Sequence, residues 1–290
     1  EKFGLPKPVI GGWLHDSSRH LAESGKVTLG IAACYAGKEL KQAKVDGITY
    51  YLVPRSNRQG VDSGLVRYYE QTCKEFEPDL IHLHGTEHME GLSCIAATPG
   101  IPHLISIQGL VSVSCRYALG GLSWREMLSC VTIRDLLRNN FIWSVRANMR
   151  RRACYDKNYF RSCSDCIGRT SWDQVHAVTL NPRIRYHFCN ESLRDAFYDA
   201  PAWSRGNCRP HTIFLSQAGT PLKGLHQVLK AAGLLREEFP DLQIRVAGNN
   251  ILRSTTVAER LKRSGYGKYI AKLVRKEKLG KNIILTHLIN

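Results

Sequence analysis

The sequence contains no apolar run long enough to cross a bilayer, for which about twenty consecutive apolar residues are needed, so no membrane-spanning helix is expected. Glu1 to Val9 has no apolar leader core, no initiator methionine and no opening strand, which argues against a secretory signal. The pattern Gly-x4-Gly-Lys-Ser/Thr is absent, which excludes a Walker A loop. Cys163-Ser-Asp-Cys166 is the only close pair among ten irregularly spread cysteines. With Cys154, His187 and Cys189 it makes a poor zinc site, because no second Cys-x-x-Cys accompanies it. No metal is expected, and the thiols read as reduced side chains of a cytoplasmic protein. Acidic residues are also scarce, 25 against 41 lysines and arginines, for a formal net charge of +16. That excess favours an acidic partner such as phosphorylated ligands, anionic lipid or nucleic acid, without choosing among them.

What remains is ordinary globular material, 290 residues with 43% hydrophobic and 23% charged side chains, enough for two domains. Short apolar runs alternate with helical patterns along the whole length. Strands are expected at Val27–Ala32, Ile48–Val53, within Pro78–Gly85 between a turn and a glycine stop, and at Pro102–Ile107, Asp165–Gly168, Ile184–Cys189, Thr212–Ser216, Leu242–Ala247 and Ile283–Leu285. Helical patterns fill most intervals, as at Leu65–Phe76, Met89–Ala97 and 225–235. Strands apolar on both faces and separated by helices predict parallel sheets covered by helices. Ile133, Leu137, Phe141, Val145 and Met149 recur every four residues among six arginines, which predicts one basic amphipathic helix over 133–152. It either packs its stripe on a sheet or rests on anionic lipid. The Pro- and Gly-broken stretch 200–210 reads as a linker between residues 1–199 and 211–290.

Four segments carry chemistry. Gly11-Gly12-Trp13 opens a helix, where paired glycines let backbone amides approach a phosphate. His82-Leu83-His84-Gly85 ends a strand; alternation puts both histidines on one side, and ligands of open α/β sheets gather at carboxyl strand ends. Gly168-Arg169-Thr170-Ser171-Trp172-Asp173 follows a strand and opens a helix, placing Arg169 where it could hold an anion. Lys223, in Pro221-Leu222-Lys223-Gly224-Leu225-His226, lies between a strand and a helix, where a cation can face a diphosphate.

Together these segments, with Asp79–Gly85, Asn181-Pro182, Tyr186–Arg194 and Leu242–Gly248, resemble the retaining glycosyltransferases of family four over nearly the whole chain. The resemblance implies the GT-B architecture, an α/β protein of two Rossmann-like domains: an N-terminal acceptor-side domain (1–199) and a nucleotide-sugar-binding domain (211–290), the latter incomplete. It implies transfer of a hexose from a UDP- or GDP-linked sugar to a cell-surface glycan or lipid-linked acceptor in bacterial polysaccharide biosynthesis, with no cofactor and no obligatory divalent metal. His84 would contact the donor sugar near the reacting carbon. Gly11, Gly12 and Arg169 would hold the donor, and Lys223 would neutralise the leaving diphosphate.

The chain departs from that pattern in three places. Ser216-Gln217-Ala218-Gly219 lacks the arginine expected shortly before the lysine. No Glu-x7-Glu element follows Ile283–Leu285, and no strand precedes Gly11. A fragment truncated at both ends, inactive by itself, is therefore expected. The protein it comes from is expected to be cytoplasmic and peripheral on the inner face of the membrane through helix 133–152. A nucleic-acid-binding module using that helix is the alternative, although no nucleic-acid fold signature is present and no nucleic-acid partner is expected. A non-hydrolysing epimerase of the same shape ranks lower, because the Lys223 turn and Gly168-Arg169-Thr170 fit transferases better.

Overall fold

The computed structural model describes residues 12–56, 60–248, 250–252, 256 and 261–287. Among these residues ten strands form three sheets. β1 (Gly30–Tyr35), β2 (Lys41–Val45) and β3 (Ile48–Pro54) make the first, in the order β1-β3-β2. β4 (Ile81–His84), β5 (His103–Ser106), β6 (Asp165–Gly168) and β7 (Arg185–Phe188) make the second, in sequence order and all parallel. β8 (Thr212–Leu215), β9 (Gln243–Ala247) and β10 (Ile283–His287) make the third, also parallel. The mixed α/β expectation therefore holds, with parallel sheets alternating with helices.

The described residues divide into two compact units by packing. Residues up to Val111 and Arg152–Ala202 form one; Ser112–Arg151 and the residues from Trp203 onward form the other. The division at 200–210 read from composition follows chain order, whereas packing sets Ser112–Arg151 with the C-terminal residues.

In the first unit, helix Ser63–Phe76 begins at Asp62, whose carboxylate accepts from the Gly64 and Leu65 amides at 2.7 and 3.2 Å, satisfying two donors the helix cannot. Its Leu65 and Tyr69 join Val53 and Cys94 in one core, with Ile81 and Leu83 of β4 against them. β2, the one antiparallel strand among the described residues, is absent from the sequence reading. Val45 pairs with Ile48 across Asp46 and Gly47, both at positive φ (49° and 79°), the backbone a two-residue hairpin demands. The strand expected at Val27–Ala32 forms three residues later, as β1.

In the second unit, Leu122, Met127, Cys130 and Ile142 enter the same core as Leu225, Leu229, Ile244, Val246, Tyr266 and Ile270. Leu225–Leu235 is a helix, and Gly265–Lys276 is a second one that the sequence reading omitted. Two hydrogen-bonded groups fix the earlier segment. Buried Asp135 accepts from the Thr132 and Gly265 amides. Glu126 accepts from Tyr269, from the Ser123 amide and from Lys230. Burial pushes the Glu126 carboxyl up, but those donors outweigh it and hold it at about 2.

The single helix expected over 133–152 is corrected to two, Ile133–Arg138 and Ile142–Ser162. Asn139 adopts the left-handed region (φ 45°, ψ 42°), and the Asn139 and Asn140 amides both return to the Asp135 carbonyl. Asparagine tolerates that conformation and so stops the helix. The four-residue stripe from Ile133 to Met149 therefore does not lie on one continuous helical face.

Candidate functional site

β4, β5 and β6 end level with one another. His84 pairs with Ser106 and Ser106 with Ile167. Parallel strands aligned this way bring the residues that follow them, Gly85, Gln108 and Arg169, to one carboxyl edge, where backbone and side chains are free to meet a ligand. Period-two alternation puts His82 and His84 on the same face. Their ring centroids lie 4.0 Å apart, and His82 Nε2 is hydrogen-bonded to the Ser106 hydroxyl at 2.6 Å. Trp13, next to Gly12 in helix Gly12–Glu23, sets its ring 5.6 Å from that of His84, edge to face at 63°.

This packing disfavours the charged form of both imidazoles. Burial and then the neighbouring His84 lower His82 to about 4, and burial lowers His84 from its usual value. Both residues nonetheless keep exposed surface. A neutral His84 can donate from one ring nitrogen and accept at the other. In an NMR titration His82 is expected to titrate near 4, and His84→Gln is expected to raise it. An unmoved His82 resonance would mean that the two rings do not share a charge environment.

Gly85 turns the chain at φ 86°. A Cβ on it would stand 2.4 Å from Glu87 Oε2, while the other Glu87 oxygen would lie 3.5 Å from a Cβ on Gly109. The Glu87 carboxylate thus lies along the loop glycines after β4 and β5. Arg152 anchors this loop, donating to the Glu87 carbonyl from Nε and Nη2 at 3.0 and 2.8 Å. Beneath it, buried Thr86 donates to buried Asp156 at 2.7 Å.

Arg169 closes the same edge. Its guanidinium donates to Glu191 at 2.8 Å and weakly to the Gln108 carbonyl at 3.4 Å, and its amide donates to Asp173. Thr170 caps the following helix and forms a reciprocal capping box with Asp173, as expected for a capping residue. The Arg169 charge is thus compensated by Glu191 rather than left facing solvent alone. Trp13 and Glu191 lie inside segments singled out from the sequence, but neither was given a role there, and Ser106 was not singled out.

In the second unit, Lys223 ends a 3-10 turn, Pro221–Lys223, after β8 and immediately before helix Leu225–Leu235. Gly224 takes φ 76° there, and no side chain caps the helix. The helix start is buried at Leu225 and His226, so it offers Lys223 the positive end of its dipole rather than exposed amides. Lys223 is exposed, and its amine meets no partner among the described residues. Gly12 opens helix Gly12–Glu23; Gly11 lies outside the described residues. Among the described residues no group of three or more His, Cys, Asp or Glu could hold a metal ion. Cys163 and Cys166 are buried, and His187 pairs with Asp165 at 2.9 Å.

No protein-family model and no curated protein sequence matches the chain. Among solved structures it is similar to sucrose-phosphate synthase from Thermosynechococcus elongatus, with TM-score 0.56 and 13% identity over 97% of this chain. The chain spans 66% of that enzyme's length. Fainter likenesses are to a TarM variant of S. aureus in complex with fondaparinux, alpha-GlcNAc-glycerol and UDP (TM-score 0.44, 8% identity, 77% of this chain and 36% of that one). UGT73P12 of Glycyrrhiza uralensis, complexed with glycyrrhetinic acid 3-O-monoglucuronide, gives TM-score 0.41 at 12% identity, over 94% of this chain and 65% of that one. Parallel sheets alternating with helices, together with the likeness that spans 97% of the chain, give this protein a fold similar to those of the GT-B glycosyltransferases.

Proposed function

We propose that the chain is part of a retaining glycosyltransferase that moves a hexose from a UDP- or GDP-linked sugar to a cell-surface glycan or lipid-linked acceptor at the cytoplasmic side of a membrane. The observation that carries this reading is Lys223, an exposed cation without a partner among the described residues, set on an uncapped helix N-terminus after a parallel strand. The fold likeness to sucrose-phosphate synthase supports it.

Glycosyl transfer from a nucleotide sugar builds negative charge on the departing diphosphate. A fixed ammonium and the positive end of a helix dipole stabilise that charge most in the transition state, which lowers the barrier. Lys223 supplies the first and the start of helix Leu225–Leu235 the second. His84, kept neutral, serves as a hydrogen-bond donor to a sugar hydroxyl or to the acceptor side of the reacting carbon. Gly11 and Gly12 give a backbone without side chains for the donor phosphates. Arg169 holds the donor only if it does so while paired with Glu191.

The test is calorimetric titration of the protein with UDP, GDP and ADP, with Lys223→Ala alongside. A charge-assisted phosphate contact contributes about 1.5–3 kcal/mol, so the variant is expected to bind its nucleotide at least about tenfold more weakly. Absence of nucleotide binding by the unaltered protein, or equal affinity in the variant, refutes the assignment of Lys223.

A further inference from the structure

Ser112–Arg151 presents a surface that the glycosyl-transfer reading does not use. Helix Trp124–Leu128 buries Met127 and turns Glu126 inward onto Tyr269 and Lys230. Trp124 and Leu128, one turn apart on its other side, are 61% and 60% exposed. Helix Ile133–Arg138 repeats the arrangement. Asp135 is fully buried against the Gly265 amide, while Ile133, Leu136 and Leu137 are 65%, 61% and 83% exposed. Positions i, i+3 and i+4 share one helical face, so the three form a single apolar ridge. Phe141 stacks on Trp143 at 4.6 Å, and Trp143 lies 6.0 Å from Trp124. Exposed apolar side chains scattered singly need no explanation, but a contiguous group marks a contact surface.

Charge selects the occupant. Residues 112–151 hold seven arginines against two acids, Glu126 and Asp135, and both acids are engaged in the interior. Arg116, Arg125 and Arg138 stand exposed beside the apolar side chains. A protein partner or a second copy of this basic surface would have to supply its own acids to match them. A bilayer of anionic lipid offers both complements together, phosphate headgroups for arginines and acyl chains for the ridge, with tryptophan suited to the boundary between them.

We infer that Trp124, Leu128, Ile133, Leu136 and Leu137, flanked by Arg125 and Arg138, seat this protein on an anionic bilayer by entering its headgroup–acyl boundary. The contact thereby moves from the arginine stripe of 133–152 to two short helices whose inner faces are anchored. It shares the membrane location with the glycosyl-transfer reading but does not depend on it, because vesicle binding needs no donor nucleotide.

The test is co-sedimentation of the protein with phosphatidylcholine vesicles with and without phosphatidylglycerol, at low and high salt. Binding is expected only to the anionic vesicles and is expected to weaken with salt. Leu136→Ser/Leu137→Ser is expected to lose at least about tenfold in partitioning, since each leucine contributes a large transfer free energy. Its thermal unfolding should match that of the parent protein, because both side chains are already solvent-exposed. Arg125→Gln/Arg138→Gln is expected to weaken binding at low salt and to have little effect at high salt. The inference is overturned if anionic vesicles are not bound, or if the leucine variant binds them equally. It is also overturned if the protein instead forms a concentration-dependent dimer that the leucine variant dissolves, or binds duplex DNA but not vesicles. Nucleotide titration of the same samples reports on the transferase reading separately.

Discussion

Gly120→Ala is expected to destabilise the C-terminal unit by roughly 2–5 kcal/mol, measured by urea unfolding against the parent protein. Gly120 sits at φ 59°, where a side chain is strained. A Cβ there would lie 2.5 Å from the Pro221 carbonyl oxygen and 2.7 Å from His226 Cε1. The first obstacle is backbone, so no rotamer change relieves it. The segment carrying Gly120 would have to withdraw from the turn that carries Lys223. Gly219→Ala is the control. It lies in the loop before that turn, has no atom within 4 Å of its would-be Cβ, and is expected to change stability by less than about 0.5 kcal/mol. Equal unfolding midpoints for the two variants would disprove the close approach.

The second large effect belongs to His226, fully buried in the first turn of helix Leu225–Leu235. Its Nε2 lies 2.8 Å from the Gly120 carbonyl and its Nδ1 3.0 Å from the Tyr266 hydroxyl. A carbonyl only accepts, so Nε2 carries the proton and Nδ1 accepts from Tyr266. His226→Ala leaves a cavity and strips Tyr266 of its partner, an expected loss of roughly 2–4 kcal/mol. Burial lowers the His226 pKa; the Gly120 hydrogen bond opposes this, Lys230 adds to it, and Glu126 opposes it. Between the lowered folded value and the unfolded value of 6.5, the unfolded chain binds the proton and the folded chain does not. Stability from this group is therefore complete above 6.5 and is lost as pH falls below it. Glu126 has the carboxylate form of the same sign, complete above its unfolded value of 4.5 and lost as pH falls toward about 2. The parent protein is thus expected to lose stability more steeply than His226→Gln as pH falls below 6.5. Parallel pH profiles would show that His226 is not buried as a neutral ring.

Much of this fold is legible before any coordinates, for identifiable reasons. Parallel strands read as short segments between helical patterns, and Asp165–Gly168 and Gln243–Ala247 fall inside the segments expected, as Ile81–His84 falls within Pro78–Gly85. β2 escapes because Lys41–Val45 is a half-exposed edge strand with no apolar run. Its signal is the Asp46-Gly47 turn, a strong local hairpin marker. Helix Gly265–Lys276 is marked by Tyr266, Tyr269, Ile270, Leu273 and Val274 at helical spacing behind a Ser264 cap. The break at Asn139 is legible only in hindsight, since the apolar stripe continues across it and period alone does not see a left-handed residue. The two histidines share a face as period two requires, but Ser106 lies 24 residues beyond His82 and Trp13 lies 71 residues before His84. Such pairings are set by which elements the core brings together. The Arg169–Glu191 pair is of the same kind.

The discontinuous make-up of the C-terminal unit bears on how the chain comes apart. Residues 200–207 are exposed and carry only one short 3-10 turn, which makes them an open target for a protease. A cut there severs the backbone but leaves Leu122, Met127, Cys130 and Ile142 embedded among side chains of the downstream piece. The two products would migrate as separate bands only after denaturation and would travel together in their native state. Conversely, expressing residues from 203 onward alone would deprive that piece of forty residues of its own core, the stretch Ser112–Arg151. The smallest self-sufficient part of this protein is not a contiguous stretch of its chain.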